Sequence, residues 1–170
     1  MITSIIKQKY LTERQLCNKK KCGTHKVQKQ IVGYKRIECE CISTNFFAWL
    51  NNEKHSTKTI KVNAIAELEI PINATIIRPL ITTESFCVDS FVSPGLRTDK
   101  AIVKKIKPTN PLNFKFDSSN CKCYSLYNND YEYSINKEQK PTKEFDDDIY
   151  NYSTSGIHFF LSKSDVRNYF

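Results

Sequence analysis

From Thr59 to Ile70 the chain alternates. Ile60, Val62, Ala64, Ala66, Leu68 and Ile70 are apolar, and the odd positions between them are polar except Ile65. A period of two over this length predicts a half-buried strand, continuous or broken once. Pro71 stops it, because proline has no N–H to give to a ladder. Gln30–Ile42 predicts a second strand, in which Val32, Tyr34 and Arg36 alternate with Ile31, Gly33, Lys35 and Ile37. Shorter strands are expected over Ala74–Leu80 and Asp99–Lys107, the latter with Ile102 and Ile106 on one side and Ala101 and Val103 on the other. Tyr124–Tyr127 and Tyr131–Ile135 flank Asn128-Asn129-Asp130, residues that tolerate the left-handed conformation of tight turns, so a hairpin is expected there.

The C-terminal stretch reads as strand, turn and helix. Ile157–Leu161 is a short apolar run, and Ser162 with Asp165 has the S-x-x-D spacing of a capping box. Val166, Tyr169 and Phe170 then share one helix face. Residues 1–16 are compatible with an amphipathic helix carrying Ile2, Ile5 and Ile6, and Cys17–Gln30 reads as a loop. Phe46–Leu50 is an aromatic cluster that needs cover, and Asn136–Tyr152 is a polar surface loop. These elements predict an α+β fold: a single domain of mostly antiparallel sheet over residues 30–170, an N-terminal helix or arm over 1–29, and a short C-terminal helix.

Charge narrows where a negative partner would be met. Residues 1–36 hold ten of the 26 Lys and Arg but one of the 18 Asp and Glu, so this stretch carries +9 and the remainder −1. Lys19, Lys20, Lys21, Lys26 and Lys29 could neutralise phosphates without reading a base sequence. Only Tyr10 offers a ring for stacking there, so a solvated flexible surface is the plainer reading. The mean hydropathy is −0.51, and no apolar run approaches the roughly 20 residues of a membrane span. Lys7 and Lys9 interrupt the N-terminal isoleucines, so no signal-peptide core is present, and the chain is expected in a host cytoplasm or a virus particle. Abundant Lys, Asn and Ile with four Gly and one Trp fit an AT-rich genome.

The order of landmarks resembles an uncharacterised domain family of giant-virus and large-phage proteins, often found after pentapeptide repeats. The matching positions are Tyr34-Lys35, then Leu68-Glu69-Ile70-Pro71, then Arg97 with Ala101 and Val103. Tyr131-Glu132-Tyr133 follows, and finally Gly156-Ile157-His158-Phe159-Phe160 through Tyr169. The family's cysteine before the Gly-Ile-His unit is Ser153 here, and the repeats are absent. The resemblance implies a coherent fold and a viral origin and transfers no activity.

The candidate chemistry is sparse. Seven cysteines include two C-x-C pairs. Cys17, Cys22 and His25 with Cys39 or Cys41 would make four zinc ligands, although C-x-C is an unusual spacing for structural zinc. The plainer reading is small buried apolar side chains in a reducing compartment, with disulfides if the chain is carried in an extracellular particle. His158 could act as a base or ligand, but a lone strand histidine is more often a hydrogen-bonded structural residue. The same segment looks locally similar to the Gly-Ile-Tyr-Phe strand of ADP-ribosyltransferases. The catalytic glutamate would then have to come from upstream, from Glu132 or Glu138. Asp146-Asp147-Asp148 lacks the alternating spacing of a calcium loop. The leading expectation is a non-enzymatic structural or interaction protein of a large DNA virus, associated with the particle and with a protein partner or a second copy. Nucleic-acid binding through the arm and a divergent ADP-ribosyltransferase are the alternatives.

Overall fold

The alternating segments form two antiparallel sheets. The computed structural model describes residues 23–44, 57–79, 95–110, 117, 120–126, 128–151 and 153–168. One sheet contains β2 (Ile31–Thr44), β3 (Thr57–Ile70), β6 (Ala101–Pro108), β7 (Cys121–Ser125), β8 (Asn128–Glu132) and β9 (Glu138–Gln139), in the order β8-β7-β2-β3-β6-β9. The other contains β1 (Gly23–Lys26), β4 (Thr75–Arg78), β5 (Leu96–Thr98) and β10 (Ile157–Phe159), in the order β1-β4-β5-β10. A helix, α1 (Lys163–Asn168), follows β10. The molecule is a single domain, largely β, with one short C-terminal helix among the described residues. The helix expected over 1–16 and the aromatic cluster at 46–50 lie outside those residues.

The two sheets share a backbone logic. The order β2-β3-β6 in one is repeated as β1-β4-β5 in the other, because each strand pair is joined by a corner where the chain changes sheet. At the β3–β4 corner Asn73 takes φ 65°, a left-handed value that asparagine tolerates, and Ala74 N–H donates to Pro71 O at 3.1 Å. The β1–β2 corner is tied to it, since Val27 N–H donates to Ala74 O and Asn73 N–H to Val27 O, both at 2.9 Å. At the third corner Asp99 Oδ1 accepts from Thr75 N–H at 2.8 Å. The segment Cys17–Gln30, expected as a loop, therefore contains a sheet strand. Gly23–Lys26 satisfies its backbone on β4, a long-range pairing that the local polarity of Gly-Thr-His-Lys does not announce.

The core lies between the sheets. The even positions of β3 and the odd positions of β2 point into it, as their periods predict, and meet Ile76, Leu96, Ile157 and Phe159 from the second sheet. Strand β6 departs from simple alternation. A bulge shifts its register opposite Glu67 and Leu68, leaving both Lys104 and Lys105 exposed. Ala101, Val103 and Ile106 therefore share the inner face and Ile102 points away, where unbroken alternation would have put Ile102 with Ile106. The hairpin forms as β7–β8, but the Asn-Asn-Asp run is not its turn: Asn128 already pairs with Ser125, so the run lies in β8.

The C-terminal segment closes the fold. Ile157–Phe159 pairs with β5, and Phe160 exchanges two 2.8 Å backbone hydrogen bonds with Tyr34 of β2, so this segment touches both sheets. Phe159 lies over Gly33, where a Cβ would overlap its Cδ2. Ser162 caps α1: its Oγ accepts from Ser164 N–H at 3.1 Å and meets the Ser164 hydroxyl. On the outer sheet face Lys163 reaches Glu67 at 3.5 Å and stands 4.9 Å from the Tyr34 ring. No helix among the described residues is long and apolar enough to cross a membrane.

Candidate functional site

Alternation along β2 turns Ile31, Gly33, Lys35, Ile37, Cys39 and Cys41 inward, so one lysine joins an apolar series. Lys35 is 7% exposed. Its Nζ donates to His158 O at 3.2 Å and lies 5.8 Å from the centre of the Tyr133 ring. An ammonium has three donors to place, and among the described residues one acceptor meets it. No carboxylate among the described residues pairs with it, and burial pulls its pKa from 10.5 down to about 8.

Lys35 faces a cleft of about 630 Å³ between β2, the β7–β8 hairpin, β10 and the chain around residues 141–143 and 153–156. Tyr131 and Tyr133, two residues apart on the hairpin, meet edge to face at 4.9 Å and line it. The Tyr131 hydroxyl is buried with no hydrogen-bond partner. Burial raises the pKa of both phenols, and Tyr131 adds to the shift of Tyr133. Ser125, Thr142 and Ser155 contribute hydroxyl-bearing residues, Leu126 and Ile157 apolar wall, and no acidic residue among the described ones lines the space.

The wall at 153–156 is held by Arg97. This arginine of β5 is fully buried, and its guanidinium donates to three backbone carbonyls: Asp146 at 3.0 Å, Ser155 at 3.3 Å and Asp148 at 2.6 Å. Burial lowers its pKa, opposed by the charges of Asp146 and Asp148. The Asp146 carboxylate accepts from Thr154 Oγ1 at 2.6 Å and from Asp148 N–H at 2.9 Å, and these bonds hold it below the usual carboxylate range. The aspartate run thus braces a loop that the sequence suggested was only solvated. Gly156 follows at φ 150°, where a Cβ would press to 3.2 Å on both Arg97 and Phe145.

The residues singled out from sequence are scattered over this frame. Lys19, Lys20 and Lys21 lie outside the described residues. Lys26 is on β1 and donates to Thr75 Oγ1 at 2.6 Å, while Lys29 is exposed at the following corner. Cys17 and Cys22 are also outside the described residues, and His25 is on β1. Cys39 and Cys41, across the core on β2, are bonded to Cys123 and Cys121 of β7, their register partners. These four cysteines are therefore disulfides, not reduced apolar side chains, and a zinc site using Cys39 or Cys41 would require that residue's bond to be broken. No group of three His, Cys, Asp or Glu residues is arranged for a metal among the described residues.

Within the Gly156–Phe160 motif, Ile157 and Phe159 are buried and Phe160 bridges the sheets. His158 is half-buried opposite Arg97 and contributes its carbonyl to Lys35. Glu132 and Glu138 are exposed, engaged with Ser134 and Lys140, and neither lines the cleft beside His158. Lys35 and Arg97 are not among the site residues that the sequence motifs single out. Lys35 did leave a signal, a lone charge at an inward position of a clean alternation. Arg97 left none, because its partners are carbonyls 49 to 58 residues away.

No solved structure matches this chain. The chain belongs to a family of unknown function, DUF5758, whose model covers residues 18–166. It is 27% identical to the uncharacterised protein L223 of Acanthamoeba polyphaga mimivirus over 95% of this chain and 99% of that protein. It is also 29% identical to the uncharacterised protein L227 of the same virus, over 62% of this chain and 58% of that protein.

Proposed function

We propose that the chain is a non-enzymatic structural or interaction protein of a large DNA virus, carried in or on the particle. The observation that carries this reading is the pair of adjacent bonds Cys39–Cys123 and Cys41–Cys121. Disulfides persist on virion surfaces and in other oxidising surroundings, and cytosolic thiol buffers reduce them. The similarity to two mimivirus proteins supports the viral part of the reading. In this role the two sheets supply a rigid body, and the staples hold it outside the cell.

The test is to purify particles, block free thiols without reduction and map the peptides by mass spectrometry. The expected result is the chain among the particle proteins, with Cys39 linked to Cys123 and Cys41 to Cys121. Finding it only in infected-cell cytoplasm with all four thiols blocked overturns the reading.

A further inference from the structure

Among the described residues on the cleft, the Lys35 ammonium meets one acceptor and the Tyr131 hydroxyl is buried without a hydrogen-bond partner. A buried cation is costly unless a counter-charge or a full set of acceptors surrounds it. Among the described residues Lys35 has neither: it meets one carbonyl and one ring face, and no carboxylate. Lys143, which also lines the space, is a second cation. An anion seated in the cleft would supply the counter-charge that Lys35 lacks among the described residues. Cleft size points the same way, since about 630 Å³ falls among the volumes that hold small organic ligands. Its walls mix aromatic and aliphatic surface with hydroxyls, which suits a ligand with one charged end and a flat or apolar body.

We propose that this cleft binds a small organic anion, its carboxylate or phosphate seated on Lys35 Nζ and its body against Tyr131, Tyr133 and Leu126. The proposal rests on the cleft alone and stands or falls independently of where the protein resides. Lysine serves such a group as a point charge, and a preformed aromatic wall restricts the body.

The experiment is calorimetric titration of the full chain with 4-hydroxybenzoate and, separately, with phenyl phosphate. Saturable one-site binding of either probe is expected, and the probe that binds more tightly identifies the head group. In Lys35→Met, which keeps the stem length, affinity should fall at least tenfold. Lys61→Met, which removes an exposed charge, should leave it unchanged. A second measurement needs no variant: acetic anhydride labelling of the native chain, mapped by mass spectrometry. Saturating probe should reduce labelling of Lys35 several-fold and leave Lys61 and Lys104 unaffected. Absence of saturable binding for both probes overturns the proposal. So does binding that survives Lys35→Met, or Lys35 labelling indifferent to the probe.

Discussion

At position 35 a charge occupies a place that the alternation of β2 reserves for an apolar side chain. The depression of its pKa from 10.5 to about 8 is a stability statement. Between those values the unfolded chain holds a proton that the folded chain has given up, so stability rises with pH across that window. Below about pH 8 the full penalty applies, roughly 3 kcal/mol at about 1.4 kcal/mol for each pKa unit. Lys35→Met should therefore be more stable than the parent at pH 7, by up to that amount. The advantage should fade toward pH 10.5, as urea unfolding at the two pH values would show. An advantage independent of pH would mean that the gain is packing and not relief of the buried charge. A group retained at such a cost is consistent with binding rather than folding as its purpose.

At the scale of the element, β2 and β7 are joined twice within a three-residue stretch. The sequence separations are 84 for Cys39–Cys123 and 80 for Cys41–Cys121, so either bond alone closes a long loop. Once one is made, the other closes a ring of only about six residues. On the chain-entropy view the first closure is worth roughly 4.5 kcal/mol and the second roughly 2 kcal/mol. Cys41→Ser with Cys121→Ser should then cost about 2 kcal/mol, and so should the other pair removed alone. Removing all four cysteines should cost roughly 7 kcal/mol, more than the two losses added. Denaturant unfolding of the three variants checks this. Simple additivity would mean that each bridge acts through local packing. The sequence showed the C-x-C spacing that puts both cysteines of a pair on one face. It could not show that the two pairs face each other, because that depends on β2 and β7 meeting in register.

At the scale of the whole molecule, the two sheets are tied where β10 crosses β2. Phe159 needs the space that Gly33 leaves, and Phe160 needs the Tyr34 backbone. Gly33 has an ordinary φ, so Gly33→Ala adds no backbone strain and tests packing alone. Its Cβ would overlap Phe159 Cδ2 and stand 3.1 Å from Cε2. The expected loss is about 1–3 kcal/mol, seen as a lower melting temperature. An unchanged or higher melting temperature would show that Phe159 shifts freely and that the closure is loose.

Local pattern was enough to locate β2, β3, the hairpin and the closing strand with its capped helix, because strand period and capping chemistry are written over a few neighbouring residues. It also fixed that the even positions of β3 form its apolar face. Only the tertiary structure decided that β1 joins a sheet, that a bulge reverses the faces of β6, and that the chain changes sheet at three corners. The same holds for the site. The inward place of Lys35 could be read from alternation, but its missing counter-charge, the orphaned Tyr131 hydroxyl and the Arg97 clamp could not. Each depends on groups that are far apart in sequence, and nothing local encodes which of them will share a buried, low-dielectric space.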